Sequence, residues 1–115
     1  MPLLRLETSA VVPADKKDKL ILAVSKIVAR TTGKPEGYVM VTLGQVSGSM
    51  AGKVAPIAYA DVRGIGGLTG KVNAQISKEI CDVLKQELGL DPGNVYLTFT
   101  DVAAQNWGHK GGTFG

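Results

Sequence analysis

A strand–helix–strand pattern that occurs twice along the 115-residue chain constrains the fold most strongly. In each half, a stretch with helical periodicity ends at a glycine, Gly33 or Gly89, and a tyrosine-bearing run of β-forming residues follows. Each half can therefore make a right-handed βαβ connection. The predicted fold is α+β with two layers, in which tandem βαβ repeats form a four-stranded mixed sheet with two helices on one face.

The first half begins with a strand and continues into a helix. Leu4, Leu6 and Thr8 alternate with polar residues, which predicts a strand over residues 3–9. The apolar period then becomes that of a helix over residues 14–32. The remaining predicted elements are a buried strand over 38–43, a loop or short hairpin over 44–53, a strand over 55–62, a glycine-rich turn over 65–68, a helix capped by Thr69 and running to about Leu88, and a strand over 95–100.

The second face of such a sheet has no helix to cover it. We expect apolar residues on that face to be buried by other copies of the chain, so that the protein is an oligomer. A hydrophobic content of 44% over residues 1–115 suits one domain with a core of its own.

Composition argues against several classes of function. The net charge is +3, with acids and bases mixed along the chain, and aromatic residues are few, so nucleic-acid binding is not predicted. No stretch has the apolar length of a membrane span, and the pattern of a signal peptide is not found. One cysteine makes no internal disulfide. We expect a cytoplasmic location, with export by a route without a signal peptide left open.

The glycine-rich segment 63–71 fails the tests for two nucleotide-binding motifs. Ile65 stands where a phosphate-binding loop needs its first glycine, and Val72 stands where that loop needs a hydroxyl. Thr69 occupies the position of the last glycine in the dinucleotide fingerprint. No nucleotide cofactor is therefore predicted, although a turn that leads into a helix can still meet an anion.

Four further residues have ordinary structural explanations. Cys81 and His109 are the only soft metal ligands, and no metal site is predicted. Cys81 is expected to act as a small buried hydrophobe. His109 is expected either to be solvated in the glycine-rich tail or to line the substrate pocket. Lys34 suits the end of a helix, where the dipole favours a cation. Tyr96 on a strand would by default be a core tyrosine.

The amino terminus offers a chemical group that no side chain supplies. If Met1 is removed, the chain begins with Pro2, whose nitrogen is then a secondary amine. Burial beside apolar groups, or a nearby cation, favours the neutral form of an amine and lowers its pKa. The proline ring also fixes the direction of the nitrogen lone pair. Such an amine would be a general base near neutral pH.

Five sequence features follow one another in a recognisable order. They are Pro2, residues 32–38 (Thr-Gly-Lys-Pro-Glu-Gly-Tyr), the turn 64–67, the strand 94–97 and the tail 106–114. Together they resemble the macrophage migration inhibitory factor family of the tautomerase superfamily, over essentially the whole chain. The resemblance implies a homotrimer with three sheets around a central channel. It also implies cofactor-free keto–enol tautomerisation of small aromatic keto acids such as phenylpyruvate, and of dopachrome-type substrates.

The resemblance also implies roles for site residues. Pro2 takes the place of the catalytic base, and Lys34 matches the lysine that binds the substrate carboxylate and helps to keep the proline neutral. The backbone of Ile65 would meet the substrate, and Tyr96 would come from the adjacent subunit. The expected pocket walls are Tyr38, Trp107 and Phe114.

The chain departs from the family pattern at several positions. Thr98 replaces a common asparagine, Arg63 and Gly64 replace a His-Ser pair of the animal proteins, and His109 stands near a tail position often held by tryptophan. Residues 56–59 replace the animal Cys-x-x-Cys, so a thiol-redox role is not predicted.

Two alternatives to a tautomerase remain open. One is a cytokine-like ligand or binding protein that keeps weak residual tautomerase activity and meets a receptor. The other is a related decarboxylase or hydratase, in which Arg63 would bind a second carboxylate or assist a water molecule.

Overall fold

Two long helices lie against one four-stranded sheet in the computed structural model, which describes all residues from 1 to 115. Three short 3-10 turns and two small hairpins complete the chain. The strands are β1 (Leu3–Thr8), β2 (Met40–Gln45), β3 (Ser49–Met50), β4 (Lys53–Val54), β5 (Ala58–Gly64), β6 (Val95–Asp101), β7 (Gly108–His109) and β8 (Gly112–Thr113), and the helices are α1 (Ala14–Thr32) and α2 (Gly70–Leu88).

The sheet has the strand order β2-β1-β5-β6 and is mixed, as predicted. The outer pairs, β1 with β2 and β5 with β6, are parallel, and each is joined through one of the two helices. The central pair, β1 with β5, is antiparallel and joins the two βαβ units. The helices pack against each other, and the core lies between them and the sheet. The fully buried side chains at its centre include Leu4, Leu6, Leu20, Val24, Val62, Ile76, Ile80 and Leu84.

Local signals in the sequence set the helix ends. Gly33 and Gly89 both adopt left-handed φ angles, 71° and 68°, and each helix ends there. Only glycine adopts this conformation at little cost in free energy. At the start of α2, the Thr69 side chain accepts a hydrogen bond from the backbone N–H of Val72 at 3.2 Å. Both helices therefore have the predicted bounds.

Two strand predictions need correction. Tyr38 lies in a 3-10 turn after Pro35, and β2 begins only at Met40, because proline favours a turn there rather than a strand. The predicted burial of this strand is also wrong in part: β2 is at the sheet edge, and Met40 is 61% exposed. In the second half, β5 begins at Ala58, three residues later than predicted, after the β3–β4 hairpin.

The sheet face opposite the helices is mainly polar, so the prediction of an apolar open face was wrong. The register places Arg5 beside Asp61, with Glu7 one position further along the same face. The face is therefore less apolar than predicted, although Met40 and Tyr96 on it are 61% and 64% exposed. The residues on this face are Leu3, Arg5, Glu7, Met40, Thr42, Tyr59, Asp61, Arg63, Tyr96, Thr98 and Thr100.

Neither α1 nor α2 combines the length and the apolar character that a bilayer crossing requires.

The Thr69 cap gives a test of the fold. Thr69→Ala should lower the free energy of unfolding by about 1 kcal/mol, because an N–H in the first turn of α2 loses its acceptor. Thr69→Ser keeps the hydroxyl and should stay near the parent. Urea unfolding at equal protein concentration measures both variants. Equal midpoints for the alanine and serine variants would contradict this role of the cap.

Candidate functional site

A cavity of about 350 Å³ opens where β1 and β2 begin. The backbone N–H of Met40 donates to the Pro2 carbonyl at 3.1 Å, which places Pro2 at the start of this parallel pair. The Pro2 side chain is fully buried and forms part of the cavity wall. The lining residues are Met1, Pro2, Leu3, Gly37, Tyr38, Val39, Met40, Trp107, Gly108, His109 and Phe114.

Three rings form one side of the cavity. His109 stacks on Phe114, with ring centroids 5.1 Å apart and planes at 13°, and Tyr38 meets both rings edge-on. The tail reaches this position because β7 and β8 form a hairpin and the N–H of Phe114 donates to the Trp107 carbonyl at 3.2 Å. His109 thus lines the cavity, while its side chain also stays exposed to solvent.

The electrostatics at the amino terminus favour a neutral amine. Partial burial, and then the positive charge of Lys34, lower the pKa of the Met1 α-amino group. Both causes disfavour the protonated form. An amine held at this end of β1 therefore has a larger neutral fraction near pH 7 than an ordinary chain terminus.

The Lys34 side chain lies close to the glycine-rich turn. Gly67 has a left-handed φ of 81°, and a Cβ added to it would lie 3.2 Å from Cε of Lys34. The turn is tied to the end of β6, because the Gly66 N–H donates to the Asp101 carboxylate at 2.8 Å. Ile65 belongs to this turn and is not among the residues that line the cavity.

Arg63 lines a second cavity of about 250 Å³ beside the first. The two cavities share Leu3, Trp107 and Gly108. Arg63 donates to the buried carboxylate of Asp61, from Nε at 3.3 Å and from Nη2 at 3.1 Å. Sequence reasoning did not single out Asp61. The only signal was an acid inside an otherwise apolar stretch, two positions before an arginine.

Tyr96 and Thr98 lie away from the Pro2 cavity of their own chain. The register aligns Tyr96 with Tyr59, which in turn pairs with Glu7. From standard strand dimensions, the Cα atoms of Tyr96 and Leu3 are then about 17 Å apart. Tyr96 is 64% exposed, so the default of a core tyrosine was wrong. The hydroxyl of Thr98 hydrogen-bonds with that of Tyr59 at 2.6 Å.

Five of the residues predicted for the site lie around one cavity. The charge of a sixth, Lys34, lowers the pKa of the amine at that cavity. No group of three or more His, Cys, Asp and Glu side chains is arranged to hold a metal ion. Cys81 is half-buried against the core, and burial raises the pKa of its thiol. The five around the cavity are Pro2, Tyr38, Trp107, His109 and Phe114, and Lys34 acts on the amine.

Comparison with known proteins identifies relatives of this chain. The family model described as macrophage migration inhibitory factor matches residues 1–115. A protein of that name from Xenopus tropicalis is 31% identical over 98 residues, which is 84% of this chain and 85% of the relative.

Two solved structures have the same fold over nearly their whole length. The macrophage migration inhibitory factor-like protein of Entamoeba histolytica has a TM-score of 0.95 at 31% identity, covering 98% of each chain. The homologue from Prochlorococcus marinus has a TM-score of 0.93 at 35% identity, covering 98% of this chain and 99% of that one. With the full-length family match, these findings establish that the chain belongs to the macrophage migration inhibitory factor family.

Proposed function

We propose that the protein is a cofactor-free keto–enol tautomerase of small aromatic keto acids, of the phenylpyruvate or dopachrome type. Pro2 acts as the general base after Met1 is removed. One observation carries the proposal: Pro2 lies buried in a cavity with aromatic walls, where burial and Lys34 lower the pKa of the terminal amine. When Met1 is removed, the terminal amine is the nitrogen of Pro2, one residue further along the chain.

The proposed reaction is a proton transfer between carbon and oxygen. The neutral proline nitrogen takes a proton from the carbon next to the keto group, and an enolate forms while the amine becomes an ammonium. The ammonium then returns the proton to the enolate oxygen, directly or through a water molecule, which gives the enol and restores the neutral amine. Lys34 holds the substrate carboxylate, and a tyrosine hydroxyl or a backbone N–H stabilises the enolate. The ring of the substrate packs between Tyr38, Trp107 and Phe114, beside His109.

Tyr96 and Thr98 enter this proposal only through a second subunit. At about 17 Å from the start of β1, Tyr96 cannot contact a substrate held by Pro2 of its own chain. We propose a homotrimer in which Tyr96 and Thr98 of the partner subunit complete each pocket. The exposure of Tyr96 supports this arrangement.

A second candidate function is receptor binding. The observation in its favour is the name of a relative, since the Xenopus tropicalis protein is called macrophage migration inhibitory factor. Residues 56–59 (Pro-Ile-Ala-Tyr) differ from the Cys-x-x-Cys of the animal proteins, so a signalling role would not use thiol chemistry.

Removal of Met1 should switch the activity on. Mass-verified Met-free protein should convert phenylpyruvate at least about 100-fold faster than protein that retains Met1, because an amide nitrogen cannot act as a base. The two forms differ in one residue and serve as matched controls. Pro2→Gly on the Met-free background should also be slower, since it loses the fixed direction of the lone pair. Equal rates for all three proteins would rule out Pro2 as the base.

Two glycine variants of the turn test the role of Lys34, because they separate backbone strain from contact with the Lys34 side chain. Gly66 and Gly67 both have left-handed φ angles, but only a Cβ on Gly67 would press on Lys34. Gly67→Ala should raise KM for phenylpyruvate about fivefold more than Gly66→Ala does, because an ionic contact of up to about 1 kcal/mol with the carboxylate is lost. Lys34→Ala should reproduce the effect. If both glycine variants changed KM equally, the position of Lys34 would not matter.

Mixed assemblies test whether the site is shared. Pro2→Gly and Tyr96→Phe proteins, each first shown to be impaired, would be unfolded and refolded together at equal amounts. In randomly mixed trimers, about one quarter of the interfaces should combine an intact Pro2 with an intact Tyr96, and activity should return in that proportion. Mass spectrometry confirms mixing. An active monomer, or mixed trimers without recovery, would contradict a shared site.

A further inference from the structure

We propose that the cavity at Arg63 binds a second acidic group of the substrate, so that the preferred keto acids carry a carboxylate at each end. This inference rests on the proposed function, because it concerns an extension of the same site. Lys34 would hold the carboxylate next to the keto group, and Arg63 would hold the distant one.

The two cavities are neighbours with a common wall. Leu3, Trp107 and Gly108 line both, so a ligand in the first cavity can extend past Trp107 into the second. The first cavity is lined mainly by apolar and aromatic residues. The second adds Arg63 and Asn106, which supply a guanidinium and an amide. A ligand that spans both therefore needs an apolar body and an anionic end.

Arg63 is oriented before any ligand arrives. Asp61 is only 6% exposed and accepts hydrogen bonds from Nε and Nη2 of Arg63. The Nη1 group makes no hydrogen bond within the chain, and the Arg63 side chain is half exposed. The guanidinium is fixed along its Nε–Nη2 edge, so its Nη1 donors stay free. A carboxylate can accept two hydrogen bonds from the planar guanidinium.

Of the charged residues on the open sheet face, only the cation Arg63 lines the second cavity. Arg5 also contacts Asp61, at 3.6 Å, and is balanced by Glu7 on its other side at 3.6 Å. Glu7 lies four positions along β1 from Leu3, which pairs with Arg63. No acidic side chain lines the second cavity. An anion there meets Arg63 without a carboxylate in the cavity wall to repel it.

Arg5 provides a matched control for the ion pair. Both arginines contact Asp61 from the same face of the sheet, but Arg5 lines neither cavity. If Arg63 served only to neutralise Asp61, replacing either arginine would have similar effects. If Arg63 binds substrate, only its replacement changes the preference among acids.

The experiment compares phenylpyruvate with its meta- and para-carboxylated analogues on Met-free protein. The parent should favour at least one analogue, and Arg63→Gln should lower kcat/KM for that analogue about tenfold more than for phenylpyruvate, since a hydrogen bond to a charged group is lost. Arg5→Gln should leave the ratio as in the parent. Equal losses for both acids in Arg63→Gln, or the same change of ratio in Arg5→Gln, would overturn the inference.

Calorimetric binding of the same acids separates this inference from the proposed function. If the parent turns over none of them, the tautomerase proposal fails, and the ratio of Kd values for carboxylated and plain acids still decides the Arg63 site. Circular dichroism and the unfolding midpoint check that both variants fold. A ratio that does not depend on Arg63 would refute the site whatever the activity.

Discussion

The position of β1 between β2 and β5 is the constraint on which the rest of the structure depends. Its parallel pairing with β2 places Pro2 beside Met40 and fixes the start of the chain at the mouth of the cavity. Its antiparallel pairing with β5 joins the two βαβ units and sets Arg63 beside Leu3. Strand termini are usually free to fray. Here Pro2 is fully buried instead, because the first strand lies at the centre of the sheet.

Partial burial of the terminus lowers the pKa of the Met1 amine, and the proposed base depends on this effect. An amine in water is mostly protonated at neutral pH, whereas desolvation and a nearby cation favour its neutral form. Lys34 supplies the cation, and the glycine-rich turn gives its side chain room. In the proposed reaction, the same lysine attracts the carboxylate, so one charge would serve both the base and the substrate.

Sequence reasoning predicted the parts of the fold that depend on local signals. Both helices end where expected, because a glycine in a left-handed conformation or a threonine cap acts within a few residues. The polarity of the open face was missed, because alternation assigns residues to a face only when the register is known. Asp61 was missed although Arg63 is only two positions away, because the register that brings Arg5 to the same carboxylate was unknown. The resemblance supplied the residues of the Pro2 cavity, whereas the stacking of His109 on Phe114 depends on the tail hairpin.

The acid–base state of the Pro2 nitrogen is the central claim, and an NMR titration of Met-free protein with isotope-labelled proline measures it directly. The pKa of this amine should lie below the ordinary value of a chain terminus, and Lys34→Ala should raise it toward that value. Activity should then rise with pH through the measured pKa, because only the neutral amine is a base. A pKa at or above the ordinary value, unaffected by Lys34→Ala, would contradict the account.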